Sequence, residues 1–258
     1  MNRNITLKAF TLSAFKIKEA DRLLHLLTKE HGLITAYAGG AARPKSRLVA
    51  CSTPFTLNEF ELYTHKGRYS VKNADVIYAF AGIREDFDKL SEASRLAQVF
   101  EDATRFESGD TDLFELFGYA LYALADRDWP QLHAALAALR LLAAIGLAPF
   151  IGRCVTCQAA LTAPYAFSFQ ASGTLCKTHR RDIYDLMPLN ENLAALLRHA
   201  VSAPLPRLFT VQVPHGLGID MIEWIWHYLE YQLEKAYPGL LMPEALDIST
   251  KGNDTVEI

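Results

Sequence analysis

Hydrophobic and polar positions alternate in short runs over the first eighty residues, then change to a helical period. Residues 5–15, ITLKAFTLSAF, are rich in Ile, Thr, Leu and Phe and predict a strand. Two apolar runs follow, 22–28 (RLLHLLT) and 33–38 (LITAYA), separated by Lys29-Glu30-His31-Gly32. That polar break suits a hairpin with Gly32 at a positive φ, although RLLHLLT alone also fits the start of a helix. Residues 39–47 form a loop by composition. Residues 55–63 alternate as a strand with one bulge or slip, His65-Lys66-Gly67-Arg68 is a turn, and 69–78 give a further strand. About five short strands in eighty residues predict a small all-β barrel or sandwich.

The texture changes near Gly82. Phe87, Leu90, Leu96, Phe100 and Ala103 share helical spacing over residues 84–106, and Ser108-Gly109-Asp110 is a stop signal. Thr111 or Asp112 can cap a helix over 113–125. Trp129-Pro130 opens another over 131–145 that is apolar nearly all round, the mark of a buried central helix. After an interruption at 150–185, helices are predicted over 190–203, capped by Asn190, and over 219–237. His215-Gly-Leu-Gly218 reads as a loop before that last helix. Trp224 and Trp226 cannot share one helix face, so one is expected to pack and the other to mark an edge or partner contact. Glu85/Asp86 and Glu101/Asp102 read as solvated helix faces, and residues 244–258 as a frayed tail.

Composition adds a charge division to this picture. The chain has 258 residues, half of them hydrophobic, with a formal net charge of −3. Residues 1–80 hold 12 Lys and Arg against 6 Asp and Glu, and residues 81–258 hold 14 against 23. A basic first third on an acidic remainder points to two surfaces with different partners, the first suited to a polyanion. The apolar content excludes wholesale disorder, and neither a secretory leader nor an apolar run long enough to span a membrane is found.

The strongest chemical signal is Cys154-Val-Thr-Cys157 followed by Cys176-Lys-Thr-His179. Two such knuckles, Cys154 with Cys157 and Cys176 with His179, supply four ligands at a tetrahedron, as in a structural Zn²⁺ site. Four protein ligands leave no open position for water, so the expected role is a staple that offsets the weak core of a short Gly- and Ser-containing insertion. Arg153, Lys177 and Arg180 flank the knuckles and are expected to help stabilise thiolates. Cys51 stands apart and is expected to be an inert buried thiol.

The second signal is cations interleaved with aromatics. Lys16, Lys18 and Arg22 surround the first turn, Arg43, Lys45 and Arg47 sit on the Gly/Pro loop, and Lys66, Arg68 and Lys72 lie at the last hairpin. Phe15, Tyr37, Tyr63 and Tyr69 are close in sequence. On a barrel, such loops hold single-stranded nucleic acid, cations tracking phosphates and aromatics stacking bases. The bland reading is a solvated surface over core aromatics. No phosphate loop, GxSxG elbow or HExxH motif is present, which moves the prior from catalysis to binding.

The ordered pieces LLxLLTKEHGLI (23–34), GGAARPKSRL (39–48), PFT (54–56), ALRLLAAIGLAP (138–149), CVTC (154–157), FSFQASGTLC (167–176) and YLEYQLEKAY (228–237) resemble the RecO family of bacterial repair and recombination mediators. The resemblance implies an α+β chain: an N-terminal OB-fold barrel over residues 1–80, a helical domain over 81–150 and 186–243, and a zinc-finger-like insertion over 151–185. It implies a non-enzymatic, cytoplasmic, nucleoid-associated protein that binds single- and double-stranded DNA and anneals complementary strands. With RecR, and often RecF, such a protein helps load RecA onto DNA coated by single-strand-binding protein (SSB), whose C-terminal tail it contacts through the helical domain. Gly39 and Ala42 replace two positions often basic in the family, His179 stands where a fourth cysteine is common, and Arg140 is the sole basic residue of the long helix. The rival readings are a protein-interaction scaffold with a structural barrel, and a metal-dependent hydrolase, which requires an open coordination site.

Overall fold

The computed structural model describes residues 3–17, 19–104 and 111–240. Lys18, the 108–110 stop signal and the 244–258 segment lie outside the described residues. Five strands come first: β1 (Arg3–Lys16), β2 (Arg22–Thr28), β3 (Gly32–Ala38), β4 (Thr56–His65) and β5 (Arg68–Tyr78). Their pairings close in the order β1-β2-β3-β5-β4, so the choice between barrel and sandwich resolves to a barrel. Gly32 adopts φ 62° at the first hairpin, and Lys66 and Gly67 adopt 48° and 75° at the two-residue turn between β4 and β5, the primed geometry that follows strand twist. The predicted slip in β4 is present as register shifts against β5 at Leu57/Asn58 and Glu61/Leu62.

Period-2 alternation gives β1 and β2 two jobs. Leu7, Ala9, Leu24, Leu26, Ile34, Ala36, Phe60 and Leu62 fill the interior. Phe10, Leu12 and Leu27 point the other way, into the helical core. Phe10 reaches furthest, its ring 4.7 Å from Phe114 and 5.4 Å from Phe117. A Cβ on Gly118 would stand 3.0 Å from the Phe10 ring, so the helix carries glycine where the barrel presses on it.

The body contains α1 (Phe87–Ala103), α2 (Thr111–Asp126), α3 (Pro130–Ala144), α4 (Glu191–Ser202), α5 (Leu205–Leu208) and α6 (His215–Leu233). The side chains of Asp86 and Asn190 accept the backbone N–H groups of Lys89 and Leu193 at 3.0 and 2.9 Å, capping α1 and α4. The apolar helix α3 is central, with α1, α2, α4 and α6 packed around it.

Three sequence expectations require correction. First, His215–Gly218 is the first turn of α6. Gly218 is needed there because a Cβ would lie 2.1 Å from the Trp129 ring, which packs against the helix backbone and stacks on His215 at 5.1 Å. Second, Trp224 and Trp226 are both buried, one among Phe167 and Tyr228, the other under the Arg95 guanidinium 3.4 Å from its ring centre. Third, of the four carboxylates expected to be solvated, Glu85 is exposed but the other three are engaged. Asp86 is a cap, Glu101 accepts from Ser13 at 2.5 Å across the barrel seam, and Asp102 pairs with Lys235 at 2.6 Å. The 150–185 interruption also connects to the core. It contributes β6 (Tyr165–Ser168) and β7 (Gly173–Leu175), which join β8 (Leu186–Leu189) in a sheet of order β7-β6-β8. Phe167 and Phe169 pack on Trp224 and Tyr228 of α6, so this half of the insertion rests on the main core.

Candidate nucleic-acid interface and metal centre

Strand register gathers the cations. Lys16 pairs with Arg22, Arg22 with Ala38, and Tyr37 with Ser70, two residues beyond Arg68. The end of β1, the start of β2 and the end of β3 therefore share one rim, with the start of β5 alongside; the β4–β5 turn, where Thr64 pairs with Arg3, lies at the other end of β1 from Lys16. Asp21 binds this rim together, accepting from the Tyr37 hydroxyl at 2.6 Å and the Gly40 N–H at 2.8 Å. The carboxylate beside it raises the Tyr37 hydroxyl pKa above its ordinary value, chiefly through that hydrogen bond. Phe15, Ile17 and Tyr37 are exposed nearby.

The basic loop, residues 39–55, is anchored from inside the barrel. Ala41, Leu48 and Cys51 are buried in the interior cluster. Below them, Thr11 Oγ1 donates to Cys51 O at 2.8 Å, and Asn58 Nδ2 donates to Thr11 Oγ1 at 3.1 Å and Thr56 Oγ1 at 2.9 Å. Sequence reasoning missed this knot, whose only signal is an Asn at an inward strand position. Arg43, Lys45 and Arg47 project from the anchored loop into solvent with no ion pair among the described residues. Lys16, Lys66 and Arg68 are likewise exposed and unpaired there. The other two are partly engaged: Arg22 donates to Ser52 Oγ at 3.1 Å, and Lys72 lies 5.1 Å over the Tyr63 ring. Cys51 is buried as expected, and burial pushes its thiol pKa up to about 11.

The four metal-ligand candidates converge. The Sγ atoms of Cys154, Cys157 and Cys176 and a ring nitrogen of His179 all lie within 4.8 Å of one another. Cys157 Sγ to Cys176 Sγ is 3.9 Å, Cys154 Sγ to His179 Nδ1 is 3.6 Å, and Cys176 Sγ to His179 Nδ1 is 3.2 Å. A zinc tetrahedron with the usual bond lengths has S···S edges of roughly 3.8 Å and S···N edges of roughly 3.5 Å, so the donor set fits the ion. Two tight folds make the cage. Cys154 N–H donates to Ala159 O and Gln158 N–H to Cys154 O, while His179 and Arg180 N–H groups donate to Cys176 O. Burial raises the Cys154 thiol pKa, but N–H groups of Cys157, Cys176 and Thr156 outweigh it and bring it down to about 6. The His179 N–H does the same for Cys176, lowering its thiol pKa. The leading stabilisers of thiolate are thus backbone dipoles.

Two features lie beyond the sequence reading. An apolar cleft of about 860 Å³ opens between the barrel and α2, walled by Phe10, Tyr78, Phe80, Tyr119 and Tyr122. Tyr78 and Tyr122 stack at 5.5 Å and are 44% and 52% exposed. Arg140 is engaged, its guanidinium donating to the carbonyls of Val201 and of Ala203, the latter at 2.8 Å, at the end of α4. No helix among the described residues is long and apolar enough to cross a membrane.

Two family descriptions match the chain: "Recombination protein O N terminal" over residues 1–80 and "Recombination protein O C terminal" over residues 84–240. The DNA repair protein RecO of Acetivibrio thermocellus is 31% identical over 230 residues, covering 89% of this chain and 92% of the relative. That of Alkaliphilus metalliredigens is 33% identical over 234 residues, covering 90% and 94%. That of Bacillus subtilis is 29% identical over 225 residues, covering 87% and 86%. The five-stranded barrel, the helical body and the Cys/His cluster are in the order that the sequence resemblance implied, and with these matches the chain belongs to the RecO family of DNA repair proteins.

Proposed function

We propose that the barrel rim binds DNA through its phosphates, and that the protein is a non-enzymatic mediator that anneals complementary single strands. The observation that carries this reading is the gathering of Lys16, Arg22 and the loop of Arg43, Lys45 and Arg47 on one rim by the β1-β2-β3 register, with the cations of β5 and its preceding turn on the adjoining barrel wall. Lys16, Arg43, Lys45, Arg47, Lys66 and Arg68 are the donors without an ion pair among the described residues; Arg22 and Lys72 support them, and Lys18, outside the described residues, follows Lys16 by two positions in the sequence. Phosphate neutralisation lowers the repulsion between two strands, and annealing requires no bond to be made. With RecR, the protein helps load RecA onto SSB-coated single strands, RecF assisting. The SSB tail is a partner of the helical body. Since Arg140 is occupied by carbonyls, another cation must meet any acidic terminus there.

Cys154, Cys157, Cys176 and His179 would hold Zn²⁺. The ion would supply a static crosslink between the two knuckles and no reactive group. The test of the rim is fluorescence anisotropy of a labelled single strand across a salt series. Replacing Arg43, Lys45 and Arg47 by Ala is expected to weaken binding and flatten the salt slope by about 2, at about 0.7 per lost phosphate contact. An unchanged slope removes the loop from the interface.

A further inference from the structure

The insertion is a basic island. Residues 150–185 carry Arg153, Lys177, Arg180 and Arg181 against Asp182 and Asp185, while the rest of residues 81–258 holds 10 Lys and Arg against 21 Asp and Glu. Asp185 is used internally, accepting from Ser168 Oγ and Gln170 N–H at 2.9 Å each. Beside the same sheet, Arg198 is closed off by Glu191 at 2.6 Å. Lys177, Arg180 and Arg181 are exposed and have no ion pair among the described residues. These three cations line a single open cleft of about 700 Å³. Its other walls include Tyr165, Ile183 and Met187. Tyr184, adjacent in the chain, is 100% exposed.

Unpaired cations along an apolar wall, with an aromatic ring wholly in solvent, form the pattern that holds single-stranded nucleic acid: charge for the backbone and flat faces for the bases. The ring of Tyr184 offers a stacking face but no enclosure for an aliphatic side chain, which favours a base over an apolar peptide residue. The platform is firm. Arg180 N–H donates to Cys176 O at 3.1 Å inside the knuckle, and the sheet beneath is seated on α6. We infer that the cleft of Lys177, Arg180 and Arg181 beside the metal cage is a second nucleic-acid site, which takes a single strand distinct from the one on the barrel rim. This rests on the proposed rim interface. It explains how one molecule brings two complementary strands to high effective concentration.

The test uses the full zinc-loaded chain and compares Arg180→Glu/Arg181→Glu with the Arg43→Ala/Lys45→Ala/Arg47→Ala rim variant, with zinc content measured for each. Titration with a labelled oligonucleotide is expected to saturate at two strands per wild-type chain and one per Arg180→Glu/Arg181→Glu chain. Annealing of complementary oligonucleotides is expected to slow by at least about tenfold in the latter. One strand per wild-type chain, or unchanged stoichiometry in the Glu variant, overturns the inference. So does a Glu variant that keeps both strands while losing affinity for an acidic apolar peptide. Wild-type DNA binding by the rim variant defeats the rim reading instead, so the two failures are separate. If the Glu variant loses zinc, Tyr184→Ala decides: second-strand affinity must fall about tenfold, and an unchanged value rejects the site.

Discussion

The barrel rim and the helical body use the same charged residue types in opposite ways. In the body, Arg95 is stacked on Trp226, Arg140 is fixed on carbonyls, Lys235 is paired with Asp102 and Arg198 with Glu191. On the barrel, Arg43, Lys45, Arg47, Lys66 and Arg68 have no ion pair among the described residues. Those four cations are spent on holding the body's own fold, whereas those of the barrel are held in reserve. The lesson is that a cation's role is decided by what the fold places beside it, and that unpaired ones on an anchored frame identify the working surface.

The sharpest way to break this division is at its seam. Phe10→Ala removes the ring that joins barrel to body, and by analogy with other buried aromatics should cost about 3–5 kcal/mol of unfolding free energy in chemical denaturation. A cost below about 1 kcal/mol would mean that the two halves are energetically independent. Cys154→Ser comes next. It should abolish the single bound zinc expected by metal analysis and cost about 3 kcal/mol, read as a fall in melting temperature of roughly 6–12 °C. Cys51→Ala is its control and should leave zinc content unchanged. With its pKa near 11, the Cys51 thiol should also resist alkylation at pH 8 until the barrel unfolds.

Acid should weaken the body before the rim. His133 is buried beside Phe209, and burial, assisted by the positive Arg127, lowers its pKa to about 4. The folded state therefore holds fewer protons than the unfolded one between about pH 6.5 and 4, and stability falls as pH drops through that window. His133→Leu should remove up to about 3 kcal/mol of this acid sensitivity. Equal melting-temperature losses between pH 7.5 and 5 in both proteins would exclude His133 as the cause. The smallest expected stability effect is at the rim: Arg43→Ala/Lys45→Ala/Arg47→Ala should leave the melting temperature within about 1 °C, since surface substitutions usually change stability by less than about 0.5 kcal/mol. A large fall would show that these cations are structural after all.

The sequence made the barrel strands, the central helix and the Cys/His cluster legible, because period and spacing are local. What it hid depends on tertiary packing. Gly216 and Gly218 make a poor helix start on propensity, yet Gly218 is required there by the Trp129 ring laid across it. β6 and β7 are only four and three residues long, too short to display an alternation, and are defined by the aromatics of α6 beneath them. The engagement of Arg140 was not legible because the carbonyls it binds lie at the end of a helix some sixty residues away. The rim was readable as a list of cations, but which of them share an edge followed only from strand register.

Strand β1 ends at Lys16 on the rim and carries Phe10 in the seam, six residues and roughly 20 Å back along the same strand. Any tug on a polymer held at the barrel's mouth is therefore delivered straight to the helix carrying Gly118. The strand works as a tie rod, and the molecule should resist being pulled as a single unit.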